Sequence, residues 1–556
     1  MRHFWSDRHG NIAVLFALAI VPIIGGIGAA VDYSMASAYR TDMQKSLDAA
    51  GISLAKIMPV SQAILNEKGQ QYFEANMGKH SLKNLVLTIE PDIAAGALKL
   101  SVRALYTPQI AGIIGVDAFE IGTDVRINWA RTKLEVALAF DLSSSMATAS
   151  GGVSKVEVAK EAAGELVDTL FAAVSNDDPE RLKISVVPYT STVNVGPEFR
   201  SAAWMDQGGI SSAHWAPSGT GTVGGNITKP TGATSRFTLF DWLGETWQGC
   251  VATRPGALGL NDDAPVSGTP NSLFVPYFAP DEPSKKDGSL NSNLYMRWTN
   301  NNSYQAYNSY IDDEDEGGLS CGSIPTSASS ANWTAVQKRG CKYKIAGSTS
   351  KKKFFVNGWG FKTGPNFMCN STKLLRLTTN KATIKSRIAE FDALGDTSIF
   401  EGVAWAWRTL SPNTPFADGR AYNADDNTKI LVLLTDGNNN WLQLTNPNRS
   451  LHAAQAYYVN QQLGSTQNMT VAQANTHLDN TTKTVCTNAK AKGVTIYAVV
   501  FSLEGTPIPT AWKDLVTACA SVENGEAQAF FAEGASQLKE VFQVIAGRIS
   551  KLYISQ

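Results

Sequence analysis

The chain has 556 residues, 43% of them hydrophobic and 17% charged, a balance that excludes wholesale disorder and is long enough to bury a sizeable core. Its 48 Lys and Arg stand against 49 Asp and Glu, and no basic run is interleaved with aromatics, which argues against nucleic acid as a partner.

The first element in chain order is apolar. Ile12 to Val31 carries no charged or strongly polar side chain and is long enough to cross a bilayer as a helix. Arg2, His3, Arg8 and His9 precede it and Asp32 follows, so the positive-inside bias predicts a cytoplasmic segment over 1–11 and a span over 12–31. Ala29-Ala30-Val31 also reads as the cleavage region of a signal peptide. However, Met35, Tyr39, Met43, Leu47 and Leu54 continue the helix on one face, which favours an uncleaved anchor. Pro22, Gly25, Gly26 and Gly28 are tolerated in membrane helices, where they either admit a partner helix or only add flexibility. Residues 32–132 then predict a small α+β juxtamembrane region, with a helix over Asn66–Met77 and strands at Leu85–Ile89, Leu98–Val102 and Val125–Trp129.

From Lys133 onward strands and helices alternate, as a parallel sheet requires. Val136–Phe140 reads as a buried strand and ends in Asp141-Leu142-Ser143-Ser144-Ser145. That spacing lets a tight loop aim three oxygen-bearing side chains at one point, just past a strand end where open α/β sheets build ligand sites. Such oxygens suit a hard cation, Mg²⁺ or Mn²⁺. A helical stripe through Val156, Ala159, Ala163, Leu166 and Leu170 follows, then a strand over Leu182–Tyr189. Residues 197–370 break the rhythm, being rich in Gly, Ser, Asn, Pro and Trp, and read as a loop-rich insertion folding as a separate unit. It emerges near the cation loops, either as a specificity element or as a passive decoration. Helices are expected at Ala382–Phe391 and Ile399–Leu410, the second preceded by Gly395-Asp396-Thr397. Ile430–Leu434 is a second buried strand and ends in Thr435-Asp436-Gly437. A helix over Val471–Lys492, a strand over Val494–Val500 and helices at Ala511–Cys519 and Ala535–Lys551 close the pattern.

D-x-S-x-S, then G-x-T, then T-D-G at strand and helix edges resembles the three-loop metal site of von Willebrand factor A domains. The resemblance implies an A domain over 133–556, a doubly wound α/β sheet with 197–370 inserted in it. It also implies direct metal ligation by Ser143, Ser145 and Thr397, with Asp141 and Asp436 in support through waters. Helix N-capping would account for Ser143 or Asp396 alone, but not for three matched loops. Trp405 and Trp407 read as core residues, with room for one to face outward because positions i and i+2 do not share a helix face.

A second resemblance runs along the chain. Arg8 to Leu18, Val31-Asp32-Tyr33 and Leu47-Asp48-Ala49-Ala50 look like the N-terminus of TadE/TadG-like proteins of tight-adherence (Flp) pilus machines. Val186-Val187-Pro188-Tyr189, Gly402 to Pro412, Lys429 to Gly437, Cys486 to Tyr497 and Ala518-Cys519-Ala520 look like TadG segments. Some pilin-like relatives are cut after a Gly followed five residues on by Glu. Here Gly10 is followed by Leu15, which again favours an intact anchor. The resemblance implies a single-pass inner-membrane protein with its bulk in the periplasm. It would bind other pilus-assembly or envelope proteins, an acidic side chain of the ligand completing the coordination of the metal. The alternative is a surface adhesin using the same site. A metal-dependent hydrolase comes third, since G-x-S-x-G, P-loop and H-E-x-x-H signatures are all missing.

The cysteines are Cys250, Cys321, Cys341, Cys369, Cys486 and Cys519. With no C-x-x-C and no His at ligand spacing they argue against zinc and for disulfides in an oxidising compartment, with the pairing open. Cys486 and Cys519 fall in helices that flank one strand and can share a face of the sheet. The TadG resemblance, where both positions look matched, strengthens that pair. Cys321–Cys341 and Cys250–Cys369 are then expected within the insertion. Asp312–Glu316 and Lys351–Lys353 read as solvated charge runs.

Overall fold

The computed structural model describes residues 11–215, 235–279 and 364–552, less 56, 59, 79–81, 93–96, 129–132, 174–178, 425, 443–449 and 467. They divide into two units, Met1–Thr132 with Ser550–Gln556, and Lys133–Ile549. Cys321, Cys341, Asp312–Glu316 and Lys351–Lys353 lie outside the described residues.

The first unit is organised by α1 (Asn11–Ala55), a single helix of 45 residues. Its early turns leave Leu18, Ile23, Ile24 and Ile27 exposed. A window within Leu18–Ala55, of mean hydropathy 1.6, is long and apolar enough to cross a membrane. From Ala36 onward the character changes. Met43, Leu47, Ala50 and Leu54 are buried against α2 (Gln62–Asn76) and a three-stranded antiparallel sheet of β1 (Lys83–Asp92), β2 (Ala97–Tyr106) and β3 (Phe119–Asn128). Asp32 marks the change. Its buried carboxylate accepts the Tyr106 hydroxyl at 3.1 Å and the N–H groups of Gln109, Ile110 and Ala111 at 2.7, 2.9 and 2.6 Å. One turn earlier a Cβ on Gly28 would stand 2.5 Å from Ile110 Cγ2, so this glycine admits a side chain of its own unit.

The second unit is built on a six-stranded sheet: β4 (Lys133–Asp141), β5 (Leu182–Tyr189), β6 (Leu375–Thr378), β7 (Asn427–Thr435), β8 (Val494–Ser502) and β9 (Ala529–Glu533). The order across the sheet is β6-β5-β4-β7-β8-β9, parallel throughout except at β6. This is a doubly wound von Willebrand factor A-like sheet, whose order reverses between β4 and β7 and opens a crevice beyond their C-terminal ends. The central strands are continuous buried apolar runs because helices cover both faces. Those helices are α3 (Lys155–Ala173), α4 (Lys381–Ala389), α5 (Ile399–Leu410), α6 (Val471–Ala491), α7 (Thr510–Cys519) and α8 (Ala535–Leu552).

The described parts of 197–370 correct the expectation of a separate unit. Trp204, Met205, Phe237, Phe240, Trp247, Phe274 and Phe278 belong to the same hydrophobic core as Val403, Trp405 and the strands. They lie over α5, all twelve residues of which are buried, Trp405 and Trp407 included, so neither tryptophan faces solvent. A helix apolar on every side requires such cover. On its sheet side Gly402 lies against Tyr189, whose ring would be 2.2 Å from an added Cβ.

Cys486 on α6 is bonded to Cys519 on α7, and Cys250 to Cys369. The second bond stands beside the point where the Ala279 N–H donates to the Pro365 carbonyl at 2.9 Å.

Candidate metal centre

The crevice between β4 and β7 collects the loops that follow each strand. β4 pairs with β7 in parallel register up to Phe140 and Leu434, so Asp141 and Thr435 come next, side by side. Thr435 Oγ1 donates to Asp141 Oδ2 at 2.8 Å, and the Ser143 N–H donates to Asp141 Oδ1 at 2.8 Å. The Ser143 and Ser145 hydroxyls are paired at 2.9 Å, and Ser145 donates onward to Asp436 Oδ1 at 2.8 Å. Asp141, Ser143, Ser145 and Asp436 therefore form one hydrogen-bonded chain, entered from Asp141 through the Ser143 backbone N–H and continued through hydroxyls.

The loop before α5 is stitched to this chain through its backbone. The Ser144 N–H donates to the Gly395 carbonyl at 2.8 Å, and the Gly395 N–H returns a bond to Ser144 Oγ at 2.9 Å. Gly395 has φ of +122°, a conformation that favours glycine, and Thr190 lies 3.1 Å from the position of a Cβ. The Thr397 carbonyl accepts the Asn440 N–H at 2.8 Å, which joins the same loop to the one after β7. Thr397 is buried beside the cluster, and among the described residues its hydroxyl makes no hydrogen bond to the other four. Asn439 completes the frame, accepting the first N–H of α5, from Ile399, at 2.7 Å.

Burial dominates the electrostatics. Burial, and next the nearby charge of Asp436, push the Asp141 carboxyl up to about 7, against the pull of hydrogen bonds from Ser143 and Thr435. Burial alone pushes Asp396 up to about 7 as well. Lys155 Nζ reaches Asp436 Oδ2 at 2.7 Å and, among the described residues, is the cation paired with the cluster. Sequence reasoning missed this lysine, and nothing in the local pattern at the start of the α3 stripe marks it.

Carboxylates and hydroxyls converging at a strand switch point are hard oxygen donors, and they fit Mg²⁺ or Mn²⁺. Among the described residues no three His, Cys, Asp or Glu side chains gather, so a cation held here would depend on the hydroxyls.

Residues 10–53 match the Flp pilus-assembly TadE/G-like family. No curated protein matches the chain. Among solved structures, the pilus adhesin SpaC from Lactobacillus rhamnosus GG aligns over 84% of this chain and 34% of its own, at 8% identity and a TM-score of 0.33. The chain thus spans about a third of the length of that adhesin. The vWF domain of the type V pili tip protein Mfa5 from Porphyromonas gingivalis aligns over 76% of this chain and 97% of its own, at 10% identity and a TM-score of 0.31. The PilB minor pilin from Streptococcus sanguinis aligns over 86% and 81%, at 10% identity and a TM-score of 0.31. The fold assignment rests on the strand order and the switch-point crevice described above.

Proposed function

We propose that this chain, which carries a TadE/G-like segment over residues 10–53, is a membrane-anchored component of tight-adherence (Flp) pilus assembly that binds protein through a divalent cation. The observation that carries the cation half is the hydrogen-bonded chain Asp141–Ser143–Ser145–Asp436 at the switch point, with two buried carboxylates, an exposed Ser145 and, among the described residues, one ammonium partner. Ser143, Ser145 and Thr397 would ligate directly, and Asp141 and Asp436 would orient waters and hydroxyls from behind. A bound Mg²⁺ or Mn²⁺ supplies a coordination position that one carboxylate of a partner fills.

The apolar helix α1 and the two disulfides support an inner-membrane anchor with the bulk of the chain in the periplasm. The partners are then other pilus-assembly or envelope proteins, and the role is recognition, not turnover.

Isothermal titration of the full chain in detergent tests the reading. Saturable Mg²⁺ binding is expected in the wild type, and Asp141→Ala with Asp436→Ala should abolish it while the circular dichroism stays unchanged. Equal binding by both proteins would reject the site. Crosslinking in native membranes then identifies the partner, and capture on the outside of intact cells would favour an adhesin.

A further inference from the structure

We propose that Lys155 is a cation built into the site, and that its ammonium group and a divalent ion held by the neighbouring hydroxyls compete for the charge of Asp436. The inference rests on the metal-site reading above.

Lys155 Nζ lies 2.7 Å from Asp436 Oδ2, with the lysine side chain 12% exposed and the carboxylate 1%. The other carboxylate oxygen accepts the Ser145 hydroxyl, so both oxygens of Asp436 are engaged. Among the described residues no second ammonium or guanidinium pairs with Asp436. The backbone that presents Lys155 is fixed. A small hairpin of Ala149–Ser150 and Val153–Ser154 leads into α3, and the Lys155 N–H donates to the Thr148 carbonyl at 3.0 Å. The side chain thus reaches the site from a held position at the first residue of the helix.

Charge decides between joint and exclusive occupancy. Asp141 and Asp436 together bring a formal charge of minus two when ionised, and Lys155 cancels half of it. A divalent ion alone cancels it all. Set against these two carboxylates alone, both cations together would leave an excess positive charge beside the buried Asp141 and Asp436, which is costly at low effective dielectric. Lysine suits an occupant that must leave. Its ammonium is a compact, strongly hydrated point charge on a flexible stem, whereas arginine would lock the carboxylate with a planar fork. Two consequences follow for the chain itself. The cation-free protein keeps Asp436 compensated and stays folded, and a divalent ion binds more weakly than the oxygen donors alone would allow.

The full chain in detergent is titrated with Mn²⁺ by isothermal titration and electron paramagnetic resonance. Its thermal unfolding is followed by circular dichroism in chelator and in saturating Mn²⁺. Lys155→Met should bind Mn²⁺ about tenfold tighter than the wild type or more. In chelator it should unfold at a lower temperature than the wild type, because Asp436 is left buried without a partner, and Mn²⁺ should raise its unfolding temperature by the larger amount. Lys155→Arg, which keeps the charge, should bind no tighter than the wild type. Lys155→Gln serves in place of Lys155→Met should the latter not fold. If the wild type binds Mn²⁺ and the neutral variants bind it equally or more weakly, the competition is overturned and the metal site stands. If neither wild type nor neutral variants bind Mn²⁺, the metal-site reading falls and the competition falls with it.

Discussion

Asp141 is central to the charge balance of the candidate site, and its ionisation would tie the proposed cation binding to pH. Its carboxyl is pushed up to about 7 from an ordinary 3.8, so in the cation-free fold the ionised form opposes stability. The opposition is absent below about pH 4, where folded and unfolded chains are both protonated, grows through the window up to about pH 7, and is complete above it. Asp141→Asn keeps an acceptor for the Ser143 N–H and removes the charge. In chelator it should stabilise the protein at pH 8 by about 1–4 kcal/mol and leave it unchanged at pH 4. Thermal unfolding that moves equally at both pH values would show that the charge is not the cause. Wild-type Mg²⁺ binding should weaken as pH falls below about 7, because protons then occupy a carboxylate that the cation needs ionised. The two Asp and two Ser of the site were legible because each sits in a local motif at the end of an apolar strand. Lys155 was not, since a hairpin with no sequence signature separates it from that motif. Thr397 is a mixed case, its loop docked by backbone bonds and its hydroxyl unlinked to the other four residues.

At the scale of elements, α5 is where the sheet, the loop after β4 and the insertion meet. Gly402 lets it lie flat on Tyr189, whose own carbonyl receives the Leu142 N–H at 2.8 Å under that loop. Gly402→Ala should therefore destabilise the second unit by about 1–3 kcal/mol through overpacking, despite the better helix propensity of alanine. Urea denaturation showing a gain in stability would contradict that packing. The apolar interior strands and amphipathic helices could be read from periodicity. β6 and β9 could not, because they are short edge strands, four and five residues long and only partly buried, whose apolar pattern is too brief to stand out. The aromatics of 197–279 follow no period either. Most of them pack by shape over α5 and complete the main core, as only the fold shows, while Tyr277 joins a small satellite cluster with Phe367, Met368 and Leu451.

Over the whole molecule, covalent staples secure what the core alone does not. Cys486 and Cys519 are 33 residues apart and join α6 to α7, helices on either side of β8 in the chain. Replacing both with Ser should cost the second unit about 3–4 kcal/mol, read as a lower urea midpoint, with a slope equal to or steeper than that of the wild type because the unfolded chain is no longer cross-linked. A midpoint equal to that of the wild type would mean the unfolded chain is not restrained by this bond. The Cys250–Cys369 bond has another consequence, seen together with the backbone bond from Ala279 to Pro365. Ala279 and Pro365, which bracket residues 280–363 in the chain, thus meet at one tied neck. Loop closure depends only weakly on length, so what is strung across such a neck can change without disturbing what lies below it. The neck is in effect a socket, and sequence between its two sides can be exchanged as a cassette while the sheet and the crevice between β4 and β7 are retained. Replacing 281–363 with a short Gly-Ser turn should leave both the Cys250–Cys369 bond and Mg²⁺ binding intact, as peptide mapping and titration would show. Related chains, by the same logic, can diverge in length and composition at this one place while keeping the crevice that the rest of the fold serves.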